Sequence, residues 1–513
     1  MSLPHPLRPV AARRRGCGGA ASSVLALGAL FLVIPLTGGP SSPARAATAA
    51  GGLSSAAQAG ADSEYADLAV DLLRRYLKVD TTNPPGNELR SARFLAQILE
   101  REGIEAEVDE FEPGRANLYA RLRAGAPASA GGGAVAFMHH MDVVPADPAR
   151  WSVPPFEGII RDGTIYGRGT QDTKTEGIVH LVAMIRARRE ALPLRRDLVY
   201  IATADEEDAF KGALHLVEKR RDVLEGVEHV VTEGGDNSRD ADGRVRLFGL
   251  EVAEKGPLWL RLKATGTPGH GSRPIADSAV NRLVRALDRV RAHATELKVL
   301  PAAERYLRDM APAQQPPRSE WYRDIRKALR DPRARQALAA DREVAYLLRN
   351  TVSITVLRAG YKTNVIPGTA EAEIDVRLLP GEDPARFLQE LKRVIGDPSI
   401  EIEEAQTFRP PNASPWETEL VGVAQEVIRT AYPGVPFTAK LSSGATECVL
   451  YRPLGIHCYG FTPLLSTVEE SASGHGDDER IREDTVRESA GLFYEFVRRL
   501  CSTASSGAGT PAR

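Results

Sequence analysis

Short apolar runs alternating with helical stretches constrain this chain more than any other feature. Residues 134–138, 198–204 and 229–232 read as buried strands, and 177–191 as a helix between two of them. Parallel strands need a crossover segment, so this alternation predicts an α/β layer: a mixed, mostly parallel sheet with helices on both faces. Two further helices are expected upstream, over 62–77 and 89–101, the second stopped by Gly103.

Near Lys255 the pattern changes. Leu258, Leu260 and Leu262 alternate with Trp259, Arg261 and Lys263, as in a strand with one wet face. A helix (278–292), two strands (351–357 and 370–378), a helix (384–395) and a last strand (399–404) follow. The order βαββαβ is that of a ferredoxin-like layer. The expected organisation is therefore a catalytic domain in two parts, 62–255 and 408–503, interrupted by a lid over 256–407. A charged, helical insertion lies near 297–350 within the lid.

The ends differ from the rest. No acidic residue precedes Asp62, whereas Arg8, Arg13, Arg14, Arg15 and Arg45 do. A basic start, a short apolar run over 24–34 and Ala44-Arg45-Ala46 predict a signal peptide over 1–46 and a secreted or periplasmic protein. The alternative is a retained membrane anchor, for which the run is short and is broken by Pro35. Residues 47–61 read as a flexible linker and 504–513 as a disordered tail. The whole chain has 66 basic and 68 acidic residues. Cleavage after Ala46 would leave 61 against 68, a net charge of −7. That balance gives no support for a nucleic-acid partner. Cys448, Cys458 and Cys501 lie beyond the leader, with no C-x-x-C pair. They exclude a cysteine-based zinc site and allow one disulfide in an oxidising compartment, whose pairing is not readable.

Acidic and histidine residues fall at the expected strand ends. His140 and Asp142 follow the first strand; Asp205, Glu206 and Glu207 follow 198–204; Glu233 follows 229–232; Asp172 lies in a turn just before a helix. In open α/β sheets the carboxyl edge is where ligands bind. Carboxylates crowded there repel one another unless a cation compensates. A mixed histidine and carboxylate set suits Zn²⁺, with Co²⁺ or Mn²⁺ as substitutes, singly or as a close pair.

Five strings carry a resemblance. These are His140-Met141-Asp142-Val143-Val144-Pro145, Tyr166-Gly167-Arg168-Gly169 with Asp172 and Lys174, Asp205-Glu206-Glu207, Glu233-Gly234-Gly235, and Ser473-Gly474-His475-Gly476. Together they resemble the di-zinc peptidases that include aminoacylase-1, glutamate carboxypeptidase, acetylornithine deacetylase and succinyl-diaminopimelate desuccinylase. The resemblance implies two zinc ions per subunit bridged by Asp172, with His140 and Glu233 on one side and Glu207 and His475 on the other. It implies Glu206 as general base, Asp142 as the group orienting His140, and His270 as an oxyanion donor from the lid, often of a partner subunit. Asn364, Arg377 and Gly444 match substrate-binding positions, with Arg377 suited to a carboxylate. The loop Ser443-Gly444-Ala445-Thr446-Glu447 departs from the Gly-Thr-Asp common in relatives. The implied activity is amide hydrolysis, in short peptides (exopeptidase or dipeptidase) or in N-acyl amino acids. A homodimer through the lid is also allowed. The rival is a metal-binding protein without catalysis. His139, His180, His215, His229, His293 and His457 are expected to be structural or surface residues.

Overall fold

The computed structural model describes residues 55–125 and 132–503, with side chains from 62 onward. The leader read over 1–46, the start of the linker and the tail 504–513 lie outside the described residues. The first helix, Ser55–Leu77, begins inside the segment read as linker. Its alanines favour helix over coil.

The main sheet runs, edge to edge, Ala106–Glu112, Arg115–Leu122, Leu198–Thr203, Ala134–His140, Val227–Thr232, His457–Gly460, Val245–Glu254 and Phe437–Ser442. Its centre is parallel: Ala134–His140 pairs in that sense with both neighbours, and His457–Gly460 with Val227–Thr232. The strands are buried on both faces because the pleat sends successive side chains to opposite cores. Val135 and Phe137 meet the helices Ser55–Leu77, Lys174–Arg189 and Glu483–Cys501, while Ala136 and Met138 meet the layer holding Lys211–Lys219 and Cys448–Tyr451.

A second, antiparallel sheet is ordered Thr351–Ala359, Thr369–Leu378, Gly256–Thr265, Glu401–Glu404. The helices Ala279–Ala292 and Pro384–Ile395 cover one of its faces, completing the ferredoxin-like order. Leu258, Leu260, Leu262 and Ala264 point into that core, and Trp259 is 43% exposed on the other face. The alternation read from the sequence is thus realised residue by residue.

The insertion behaves differently from the layer that contains it in chain order. Its helices Pro301–Met310, Ile325–Ala328 and Arg342–Leu348 send Leu307, Ile325 and Leu348 into the main core. The first of them lies over the edge strand Phe437–Ser442, where Thr438 donates to Asp309 at 2.8 Å. A helix over an open edge removes a template for unwanted strand pairing. Among the described residues no helix is long and apolar enough to cross a membrane.

Candidate metal centre and substrate cleft

Five side chains meet at the carboxyl edge of the main sheet. His140 ends its strand, with Nε2 2.8 Å from Asp172 Oδ1 and 4.0 Å from Glu233 Oε2. His475 Nε2 lies 2.9 Å from the other Asp172 oxygen and 3.1 Å from Glu207 Oε1. The result is two three-ligand groups, His140–Asp172–Glu233 and Asp172–Glu207–His475, each with its donor atoms within 4.8 Å of one another. Asp172 belongs to both. That arrangement of neutral imidazole and carboxylate fits a pair of divalent cations sharing one carboxylate.

The electrostatics point the same way. Burial pushes the Glu233 carboxyl well above the usual range, helped by Glu206 and Asp172 against the pull of His140. Glu206 is raised well above its ordinary value by burial, with Asp172, Glu447 and Glu207 adding to the effect. His475, bonded to Asp172 and Glu207, is pushed up to about 10. Divalent cations bound here would compensate the crowded carboxylates and displace protons from the cluster.

Asp142 organises the ligands from behind. It is fully buried. The backbone N–H groups of Glu206 and Glu207 each donate to it at 3.1 Å, and Asn83 Nδ2 donates at 2.8 Å. Its Oδ1 lies 3.6 Å from His140 Nδ1, and its backbone oxygen 3.0 Å from the same nitrogen. Asp142 therefore orients a ligand histidine through its backbone oxygen, while its carboxylate fixes the turn that presents Glu206 and Glu207. Asp205, at the head of that turn, has φ 67°. It is held by Asn83 at 3.0 Å and by Arg115 at 2.6 Å, and Arg115 in turn donates to buried Glu88 at 2.7 Å.

The loop carrying Asp172 has its own clamp. Fully buried Glu479 accepts from Arg168 Nη1 at 2.5 Å and from the backbone N–H groups of Gly169, Gln171 and Asp172 at 3.1, 2.7 and 3.2 Å. Gly169 has φ +95°, and a Cβ there would sit 3.0 Å from Lys174 and 3.1 Å from Val143. Sequence reasoning assigned no role to Glu479, Asn83, Asp205 or Arg115. Asn83 lies in the loop Asp80-Thr81-Thr82-Asn83-Pro84-Pro85-Gly86, which resembles the longer carboxypeptidase-like and N-acyl-amino-acid hydrolase branch without marking Asn83 itself, and Glu479 acquires its role purely by contact across 307 positions.

Four of the five donors, Asp172, Glu207, Glu233 and His475, open onto a cleft of about 650 Å³ between the two sheets, while His140 is buried. It is lined by Glu206 and Gly444, by Phe210 and Val449, and by Trp259 and Arg377 from the four-stranded layer. Arg377 is already bonded to Asp375, at 2.8 and 3.2 Å. His270 and Asn364 do not line this cleft. His270 is exposed with its Nδ1 2.8 Å from Ser272 Oγ, and Gly271 N–H donates to Asn364 O at 2.8 Å, so the two sit side by side elsewhere on the layer. The other histidines serve packing or surface pairs. His139 is buried against Tyr76, 3.2 Å away, and a Cβ at Gly177 would come within 2.3 Å of its ring. His180 meets Thr462, His215 meets Asp109, and His293 meets Glu390. Cys448 and Cys458 form a disulfide, leaving Cys501 free and buried.

Comparison with known proteins agrees with this geometry. Human N-fatty-acyl-amino acid synthase/hydrolase PM20D1 is 27% identical over 372 residues, covering 70% of this chain and 73% of its own. Mouse aminoacylase-1 is 25% identical over 451 residues, 86% of this chain and 97% of its own. The crystal structure of Sso-CP2, an M20 family metallo-carboxypeptidase from Sulfolobus solfataricus, superposes with a TM-score of 0.65 at 20% identity, covering 84% of this chain and 99% of that one. The sequence profile of Peptidase family M20/M25/M40 matches residues 136–499, from the first ligand strand to the closing helix. The chain belongs to that family and is a hydrolase acting on amide bonds.

Proposed function

We propose a zinc-dependent, exo-acting amidohydrolase that frees the carboxyl-terminal amino acid of an N-acyl amino acid, or of a short peptide, whose acyl part is itself peptidyl. The observation that carries this reading is Asp172 between His140 and His475, with Glu206 beside Glu207 in the same cleft. His140 and Glu233 would hold one cation, Glu207 and His475 the other, and Asp172 both. Once bound, two cations supply Lewis-acid polarisation of the scissile carbonyl and offset the crowded carboxylates. Glu206, which lines the same cleft beside Glu207, takes the proton of the attacking water and returns it to the leaving nitrogen. Asp142 keeps Glu206 and Glu207 at fixed positions through their backbone N–H groups. The apolar wall of Phe210, Val449 and Trp259 excludes water from one side of the cleft and suits an apolar acyl group.

The names of the two sequence relatives favour the N-acyl amino acid. Export after removal of 1–46 is part of the same proposal, and the Cys448–Cys458 disulfide supports an oxidising compartment. The test is a hydrolysis screen with added Zn²⁺ or Co²⁺ across N-acyl amino acids and dipeptides, beside the variant Glu206→Gln. Wild type should cleave at least one class. The variant should bind two metals and turn over about 10²–10⁴-fold more slowly. Cleavage of neither class by the metal-loaded wild type would favour a silent metal-binding protein, and a near-normal rate in the variant would remove Glu206 from the reaction.

A further inference from the structure

A second cavity, of about 520 Å³, shares only Asp172 and Glu233 with the substrate cleft, so those two ligands form a common wall. No lysine, arginine or histidine is among its described lining residues, whereas four carboxylates are. Three of the four are engaged. Asp172 and Glu233 belong to the metal centre, and Asp236 accepts from Lys440 at 2.7 Å. The fourth is Glu176, in the first turn of the helix Lys174–Arg189.

Glu176 is 5% exposed, and its Oε1 has no hydrogen-bond partner among the described residues. His180 Nε2 lies 3.8 Å from it but bonds Thr462 Oγ1 at 3.0 Å, and burial keeps that imidazole neutral. Without a cation beside it, burial pushes the Glu176 carboxyl well above the usual range. Asn237 holds a second unpartnered acceptor. Its Nδ2 donates to Thr462 O at 2.7 Å, which fixes the amide and leaves Oδ1 without a donor. Thr462 lies between the two residues, beside Glu176 through its side chain and bonded to Asn237 through its carbonyl. Buried acceptors are normally satisfied, so two unpartnered ones in the wall of one cavity point to a donor-bearing ligand. Leu464 and Val468, the latter 77% exposed, add an apolar strip along which methylene groups can lie.

We propose that this cavity receives the cationic side chain of the amino acid that the enzyme releases, a lysine-type ammonium held by Glu176 and Asn237. This rests on the exo-acting amidohydrolase reading and narrows its substrates to Nα-acyl derivatives of basic amino acids. The acyl group keeps the apolar wall of the first cleft. An ammonium brings N–H donors and a positive charge to two acceptors that have neither, while its methylene groups cover Leu464 and Val468. A neutral side chain of the same length leaves both acceptors unpaired, which is the strongest basis for rejecting it.

Two measurements on the zinc-loaded, full-length protein test it. The first is kcat and KM for Nα-acetyl-L-lysine and for Nα-acetyl-L-norleucine, which is the same chain without the ammonium. The second is calorimetric binding of L-lysine and L-norleucine, the released amino acids. Wild type should favour the lysine compound in both by about 10–100-fold, the span of one hydrogen bond to a charged group. Glu176→Gln keeps the shape and removes the charge. It should raise KM for the lysine compound by that factor, with kcat within a few-fold, and change the norleucine compound far less. Ser471→Lys places a cation on the exposed rim of the cavity and should narrow the preference in the same way, whether or not Glu176→Gln folds. Equal handling of both side chains by wild type, as when water alone fills the cavity, would overturn the assignment. So would a preference that survives Glu176→Gln or, where that variant does not fold, Ser471→Lys. If wild type hydrolyses neither compound but binds L-lysine through Glu176, the subsite stands and the hydrolase reading fails.

Discussion

Replacing Glu479 with glutamine is the sharpest test of how the centre is built. The carboxylate is fully buried, and its two oxygens accept four hydrogen bonds: Arg168 and Gly169 on one, Gln171 and Asp172 on the other. Glutamine keeps the shape but offers one acceptor oxygen and one NH₂, so two of the four donors then face a donor. Arg168, with a side chain only 3% exposed, also loses its counter-charge. Breaking a buried pair from one side costs about 3–5 kcal/mol, far more than the roughly 1 kcal/mol of one neutral hydrogen bond. Because two of the bonds run to the backbone of Gln171 and Asp172, the same change should loosen the bridging ligand. Groups that orient metal ligands are worth about 10–100-fold in metal affinity.

The assays are urea unfolding of metal-free protein, followed by tryptophan fluorescence, and zinc affinity by competition with a chromophoric chelator. Trp151 gives a local signal, since the Arg168 guanidinium lies 5.3 Å from its ring. A variant within about 0.5 kcal/mol of wild type, the range of an ordinary surface change, with unaltered zinc affinity would refute the clamp.

Two further predictions concern the scaffold. Burial pushes His180 down to about 3, below the ordinary histidine range. As pH falls through 6.5 the unfolded chain takes a proton that the folded chain refuses, so stability contributed by neutral His180 is lost at about 1.4 kcal/mol per pH unit. His180→Phe removes that term, and between pH 6.5 and 4 wild type should lose about 3 kcal/mol more stability than the variant; parallel stability–pH curves would show the argument to be wrong. The Cys448–Cys458 bridge closes a short loop, with a sequence separation of 10. Changing both cysteines to serine should lower unfolding stability by about 2–3 kcal/mol, and a reductant should shift wild type but not the double variant.

His140, Asp172, Glu207 and Glu233 were legible because each sits at a strand end or a turn, where period and composition mark the chain, whereas His475 entered only through the family resemblance. His140 closes a run of apolar residues, and Glu207 and Glu233 follow two more. Trp259 was legible as a wet-face residue from simple alternation. The clamps were not legible. Glu479 and Asp172 are neighbours only because the strand Arg480–Arg482 pairs with Thr164–Tyr166 and brings residue 479 under the loop. Asn83 matters only because Asp142 and Asp205 converge on its amide. The insertion looked like part of the layer that contains it, since chain order says nothing about which core its leucines enter.

The sequence by itself therefore determined the α/β class, the inserted ferredoxin-like layer and four of the five donors, because local periodicity and strand ends are properties of neighbouring residues. Only the tertiary structure decided how those donors are held in place. Glu479 is 307 positions from Asp172, yet its carboxylate accepts that residue's backbone N–H at 3.2 Å beside three further hydrogen bonds from the same loop. Such a clamp is settled by contacts between distant parts of the chain, which local periodicity does not record.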